Sequence, residues 1–203
     1  PRPHSHALRT QPAGGNLKEP VTESTKKAAR CFYALEQNRA DQKRYPAVNP
    51  IDSYSKYLEY PEIQEFLDEK IEKGWTERVN RAKNIVRQGR DAAEQINILG
   101  DDGVPMNYHE TFWKSELLDF VFLQQDAFDA VDSLCPLERQ KFMLNLILDI
   151  CDREFSFEDF EQCRNFFKEL INDLRQMNYS QFHSEAFEKY NSELSKLLEE
   201  NGK

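Results

Sequence analysis

From residue 61 onward, apolar side chains return every three or four positions, the spacing that lines them along one face of a helix. Pro61 suits a first helical position, and Ile63, Phe66, Leu67 and Ile71 follow it up to Gly74. A second stripe runs through Trp75, Val79, Ala82, Ile85, Val86, Ala93 and Ile96 and ends near Leu99-Gly100. Gly100-Asp-Asp-Gly-Val-Pro105 reads as a turn. A third helix is predicted over about Tyr108 to Gln124, with Phe112, Trp113, Leu117, Phe120 and Val121 on its apolar side. The period breaks over Gln125 to Cys135. Pro136 then opens a helix through Met143, Leu144, Ile147, Leu148 and Cys151. Ser156 with Asp159 gives a capping-box-like start to a helix bearing Phe160, Cys163, Phe166, Phe167, Leu170 and Leu174. Ser180 is expected to cap a last helix carrying Phe182, Phe187, Tyr190, Leu194 and Leu197. Each helix has one apolar stripe, so they must pack on one another as a bundle.

The first 57 residues read differently. Pro1 to Pro20 are rich in Pro, Gly and His with almost no apolar pattern, which predicts an irregular or extended lead-in. Ala28 to Leu35 form an apolar run of the length of a buried strand, yet Lys26 to Arg39 also tolerate a helix, and period alone does not decide between them. Glu36 to Arg44 suit a short helix stopped by Pro46. Tyr45 to Tyr57 hold two prolines four apart among turn residues, which excludes a helix interior. That loop marks the expected boundary between a segment 1–57 and a helical bundle 58–203.

Composition supports a mainly α chain. Among 203 residues only 7 are Gly and 9 Pro, 39% are hydrophobic and 31% charged, and the mean hydropathy is −0.79. The net charge of −9 gives no surplus for the dense basic face that nucleic-acid binding needs. No apolar run approaches the roughly 20 residues that span a bilayer, and Pro1 to Asn16 lack the apolar core of a signal peptide. Cys31, Cys135, Cys151 and Cys163 are far apart within apolar patterns and read as reduced core thiols of a cytosolic protein, not as a disulfide frame.

Catalytic motifs are missing: no G-x-x-x-x-G-K-[ST], G-x-G-x-x-G, G-x-S-x-G or H-E-x-x-H occurs. His109 and His183 have no partner histidine at a helical offset, and the cysteine spacings do not suit zinc, so both histidines read as structural or solvated. His4 and His6 suggest at most adventitious metal binding. The many carboxylates fall mostly on polar helix faces, and the stripe from Phe155 to Phe167 reads as core. Two irregular segments hold more interest. Tyr45-Pro46 makes a stiff platform able to present one aromatic face to a flat ligand such as a base, although turn packing is its ordinary use. Phe122-Leu-Gln-Gln-Asp-Ala-Phe-Asp129 sets two aromatics around amides that suit an exocyclic amine, and alone it too would be loop packing.

Taken together, these segments resemble a known family. Gly14-Gly15-Asn16 and Glu19-Pro-Val-Thr22 are similar to the G-G-[DN]-x-x-E-P-V-T stretch of the catalytic A subunit of V-type and archaeal-type rotary ATPases. Tyr45-Pro-Ala-Val-Asn-Pro-Ile-Asp-Ser-Tyr-Ser55 resembles its F-P-x-[IV]-N-x-x-x-S-Y-S segment, and also the Y-P-A-V-D-P-L-D-S segment of F-type beta subunits. Phe122 to Asp132, followed by Cys135-Pro136, follows the A subunit's F-L-Q-Q-N-A-F-D-x-V-D…C-P. The resemblance runs from about Pro12 to the C-terminus.

The resemblance implies a C-terminal helical bundle preceded by a short remnant of the α/β nucleotide-binding domain, and it turns the run Cys31 to Leu35 toward a last strand of that domain. It implies that Tyr45, with Pro46, stacks on adenine, and that Gln125, Ala127 and Phe128, with Gln124 less certain, form the facing wall. It implies a parent that binds ATP or ADP with Mg2+, sits with B subunits in an alternating A3B3 ring, drives proton or sodium transport, and meets the central rotor shaft through the Leu99–Met106 turn. Such a parent is cytoplasmic and peripheral to the membrane. The P-loop lysine and threonine, the glutamate that positions water and the arginine finger have no counterpart here. Pro50 stands where A subunits usually carry tryptophan, and Pro1 to Gln11 do not match the expected strand. The chain therefore looks like a C-terminal fragment, with no nucleotide expected to stay bound to it and no ATPase activity expected of it alone. The competing expectation is a free-standing helical adaptor that binds a partner helix in an apolar groove.

Overall fold

The computed structural model describes residues 7–201, leaving out the side chains of Ala13, Glu200 and Asn201; His4 and His6 lie outside the described residues. The fold is 66% helical. Helices α1 (Pro20–Ala28) and α2 (Gln37–Asp41) flank strand β1 (Cys31–Phe32); strand β2 (Tyr54–Ser55) follows. The bundle is then α3 (Pro61–Lys70), α4 (Trp75–Leu99), α5 (Met106–Leu118), α6 (Leu137–Asp152), α7 (Phe160–Tyr179) and α8 (Glu185–Asn201). Among the described residues no helix is long and apolar enough to cross a membrane.

The lead-in is more ordered than its composition suggests. A short 3-10 turn at Ala13–Gly15 precedes α1, which the apolar pattern does not announce. The signal lay in its start: Pro20 fits the first turn, and the Glu19 carboxylate accepts the Thr22 N–H at 3.1 Å, satisfying a donor the helix leaves open. The strand that the resemblance implies over Cys31 to Leu35 is corrected in length and burial. Helix α1 takes Ala28, and only Cys31 and Phe32 pair in antiparallel register with Ser55 and Tyr54, extended by a single bridge from Leu35 to Val48. Ala34 is buried while Tyr33 and Leu35 face outward, because β2 is the one strand paired with β1 among the described residues.

The bundle follows the predicted order, with shifted caps. Helix α5 starts at Met106, and its last turn widens into a π-helical turn at Asp119–Leu123. Ser156 is not the cap of α7. Asp159 accepts the Gln162 N–H at 2.8 Å, and Gln162 Oε1 accepts the Glu158 N–H at 2.6 Å. Nor does Ser180 cap α8: it ends α7, its hydroxyl donating to Gln176 O at 2.8 Å. Ser184 is the N-terminal cap of α8, accepting the Phe187 N–H at 3.2 Å, which leaves Phe182 in the preceding turn.

The core lies between α5, α6, α7 and α8, with Leu117, Ile147, Phe167, Leu174 and Phe187 fully buried. Arg139 is buried with them. It donates to Met177 O at 2.7 Å and to Asn178 O, so its charge meets the open carbonyls at the α7 C-terminus. Asn178 in turn donates to Val121 O at 2.7 Å, inside the π-turn. His109 is buried against Phe160, its Nε2 2.9 Å from Asp101 O, and exposed His183 meets Glu188 at 3.0 Å. Of the cysteines only Cys163 is fully buried; Cys31, Cys135 and Cys151, expected in the core, are partly buried, and all four are free thiols. Burial pushes the Cys151 and Cys163 thiols up to about 12.

Helices α4 and α5 form an antiparallel hairpin closed by the Asp101–Gly103 turn. Their approach is set by Gly89, where an added Cβ would fall 2.0 Å from the Ser115 Cβ. In an open helix interior Gly→Ala gains about 1 kcal/mol. Here Gly89→Ala must push the hairpin apart, and urea unfolding is expected to show a net loss of about 1–3 kcal/mol; a gain in stability would refute the close-approach reading.

Candidate functional site

The two segments singled out for an aromatic ligand meet in the structure through their backbones. Tyr45 and Pro46, joined by a cis peptide bond, follow α2, and Gln124 and Gln125 follow the π-turn. The Gln125 N–H donates to Tyr45 O at 2.9 Å, which places the start of one segment against the other. Tyr45 is 55% exposed and Phe128 100% exposed; Pro46, Gln125 and Ala127 are exposed as well. None of these side chains is used up in the core.

The backbone beneath them is firmly held. Asp126 N donates to Asp132 Oδ2 at 2.6 Å, Phe128 N to Asp126 Oδ1 at 2.9 Å, and the Val131 and Asp132 N–H groups to Asp129 Oδ1 at 2.8 Å each. The Asp126 and Asp129 contacts are Asx-type turns, in which a carboxylate accepts from the backbone two or three residues on, while the Asp132 carboxylate closes the loop back onto Asp126, six residues earlier. The Gln125 amide is occupied as a donor to Asp132 O at 2.7 Å. Gln124 behaves differently: its Nε2 is buried with no hydrogen-bond partner. Burial raises the Asp132 pKa above the usual carboxylate value, and the nearby carboxylates of Asp129 and Asp126 add to this, against the Asp126 N–H and Arg139.

The Tyr45 side of the site rests on a cluster of charges. Arg39 forks onto Asp119 at 2.7 and 3.0 Å. Arg44 donates to Glu116 at 2.8 and 2.9 Å and to Asp119 at 2.7 Å, with its guanidinium 4.7 Å from the centre of the Phe120 ring. Burial works against the Arg44 charge, but the Glu116 and Asp119 carboxylates outweigh it and hold its pKa above the ordinary arginine value. No spacing rule pointed to this cluster, since its partners stand 72 to 80 residues apart. It also crosses the expected boundary after residue 57.

The residues present fit an adenine. An exposed tyrosine and an exposed phenylalanine stand on held backbone. They do not supply a phosphate cradle. Among the described residues no group of three or more His, Cys, Asp and Glu is placed to hold a metal ion.

Comparison with known proteins gives one direction. Residues 64–156 match the family model described as the C-terminal domain of V and A type ATP synthase. The chain is 39% identical over 188 residues to the V-type ATP synthase alpha chain of Chlamydia caviae, covering 93% of this chain and 31% of that protein. The V-type ATP synthase alpha chain of Protochlamydia amoebophila is 38% identical over 189 residues, and that of Chlamydia trachomatis 40% over 188, with the same coverage. The chain thus spans about a third of the length of these relatives. Among solved structures, a unique ATP synthase subunit, NeqB, of Nanoarcheaum equitans matches with a TM-score of 0.53 over 70% of this chain and 33% of that one. At 16% identity, that likeness bears on the fold alone.

The raised Asp132 pKa yields a test of how the Asp126–Asp132 turn is held. A carboxyl whose folded pKa lies above its unfolded value binds a proton more readily when folded. Its contribution to stability is therefore present below the unfolded value, near 3.8, and is lost as pH rises through the folded one. Urea titrations from pH 4 to 7 are expected to show a shallower loss of stability with rising pH for Asp132→Asn than for the native chain. An identical slope would show that Asp132 titrates without perturbation.

Proposed function

The chain belongs to the family of V- and A-type ATP synthase alpha chains, matching its C-terminal domain over residues 64–156, and on that premise we propose that it supplies the adenine side of an ATP site. Tyr45, with Pro46 behind it, stacks on one face of the base. Gln125, Ala127 and Phe128 form the wall beside it, with the partly buried Gln124 next to them in the chain. The observation that carries this reading is the Gln125–Tyr45 backbone hydrogen bond, which puts the two segments side by side while Tyr45 and Phe128 keep their rings in solvent.

In this function the parent protein hydrolyses or makes ATP with Mg2+ and couples that to proton or sodium transport. It alternates with B subunits in an A3B3 ring, peripheral to the membrane on the cytoplasmic side, and the Leu99–Met106 turn at the tip of the α4–α5 hairpin meets the central shaft. Bound Mg2+-nucleotide supplies the reacting phosphates; this chain's own residues bind and orient the base. An adaptor unrelated to nucleotides would account for the bundle but not for the contact between the Tyr45 and Gln125 segments.

Two measurements test the proposal. In the full-length protein, Tyr45→Ala is expected to weaken ATP binding by about 1–3 kcal/mol, the value of one base stacked on an aromatic ring; an unchanged Kd sinks the adenine role. The 203-residue chain alone is expected to show no Mg2+-dependent ATP hydrolysis, because phosphoryl transfer rests on positioning and charge at the phosphates. Measurable turnover would overturn that division of labour.

A further inference from the structure

We infer that Arg44, forked onto Glu116, is a positioning residue for the Tyr45 ring, so that affinity for the base is set in part by an ion cluster that never touches it. The inference rests on the adenine reading above. The Tyr45 ring is 55% exposed, and packing around the ring therefore does little to fix where it points. Its direction has to come from the backbone. Lys43 adopts a left-handed conformation with φ 58°, the Arg44 N–H closes back onto Arg39 O at 2.8 Å, and the Tyr45 carbonyl is taken by Gln125 N. Between those two backbone bonds the Arg44 side chain is the anchor, making three of the five hydrogen bonds in the cluster.

The partners of that anchor matter as much as its strength. Glu116 lies in the last turn of α5, and Asp119 opens the π-turn that leads to Gln124 and Gln125. Arg44 therefore ties the residue before Tyr45 to the same stretch of chain that carries the facing wall. Both walls share one foundation. The cluster holds two guanidiniums and two carboxylates, with Asp119 and Arg44 side chains only 7% and 18% exposed. A fork of this kind fixes direction as well as distance, which a lysine ammonium does not. Losing it frees Tyr45 to sample other orientations, each of which must be given up again when the base stacks.

The test separates positioning from general damage by comparing two probes in the full-length protein: Mg2+-ATP, which has a base, and Mg2+-tripolyphosphate, which has none. Removing Arg44 alone leaves an uncompensated buried carboxylate and risks unfolding. The informative variant is therefore Arg44→Met with Glu116→Met, which removes one charge of each sign and keeps the Arg39–Asp119 fork. It is expected to unfold at a temperature close to that of the native protein, to bind tripolyphosphate as the native protein does, and to bind ATP about fivefold or more weakly. Arg44→Lys, which keeps the charge without the fork, is expected to fall between. Tyr45→Ala is measured alongside. If Tyr45→Ala weakens ATP binding while the double variant keeps native ATP affinity, the positioning role is wrong and the adenine reading stands. If Tyr45→Ala changes nothing, the adenine reading fails and takes this inference with it. Equal losses for both probes in the double variant would make the cluster merely structural and would also overturn the inference.

Discussion

Everything ahead of the bundle hangs on four charges held mostly out of water. Among the described residues before position 58, only Thr22, Ala34 and Arg39 are buried, so this segment has almost no apolar area with which to hold itself against α5. What joins it there is the Arg39–Asp119–Arg44–Glu116 cluster. Removing charges from water is costly, and an ion pair recovers that cost only with good geometry and full pairing. Here both guanidiniums fork, both carboxylates are met and Phe120 stacks on one cation, while the Arg39 Nε stays buried with no hydrogen-bond partner. Such a junction specifies direction more than it adds stability. It tolerates one arrangement of its partners, where an apolar patch of the same size would tolerate several.

The bundle is organised by a different constraint, close approach and satisfied backbone. Gly89 allows α4 and α5 to come within reach at Ser115. The π-turn after α5 opens backbone groups that an ordinary α-helix would pair, and Asn178 closes one of them at Val121 O. Arg139 does the same for the end of α7. These polar contacts converge on one region, the C-terminal end of α5 and the start of the Gln124–Asp132 loop. Helix α5 is about 20 Å long at 1.5 Å per residue, with that region at one end and the Pro105 turn at the other. A shift at either end is carried by a packed rod, because close-packed interiors do not deform gradually.

The sequence was informative wherever one repeated local signal sufficed. Helical spacing located α3 to α8, since an apolar stripe must be buried whatever it packs against. Caps were misplaced at Ser156 and Ser180 because several Ser, Thr and Asp stand near each helix start, and only folded geometry selects which oxygen reaches an open N–H. Helix α1 was missed because it buries little; its Glu19–Thr22 start is polar and has no stripe to follow. The strand run Cys31–Leu35 looked buried because its residues are apolar, whereas Tyr33 and Leu35 point outward. The ion cluster was invisible, because nothing local links Arg39 and Arg44 to residues 72 to 80 positions away.

The exposed rings of the candidate site make physical sense only when set beside their backbone. A fully exposed phenylalanine gives up the roughly 1.5–3 kcal/mol that its burial would contribute, and a mobile loop could fold such a ring back onto the surface. The backbone under Phe128 has little such freedom. Asp126, Asp129 and Asp132 take up four backbone N–H groups between Asp126 and Asp132, and Gln125 is spent on Asp132 O. Tyr45 is held from below by the charge cluster and from the side by Gln125. A loop whose backbone is held in this way has less main-chain entropy left to lose on binding, while its exposed rings keep their side-chain rotamers. On the adenine reading proposed above, a base meeting these two segments therefore costs side-chain order more than main-chain order, and the buried polar contacts beneath them keep Tyr45 and Phe128 out of the chain's own core.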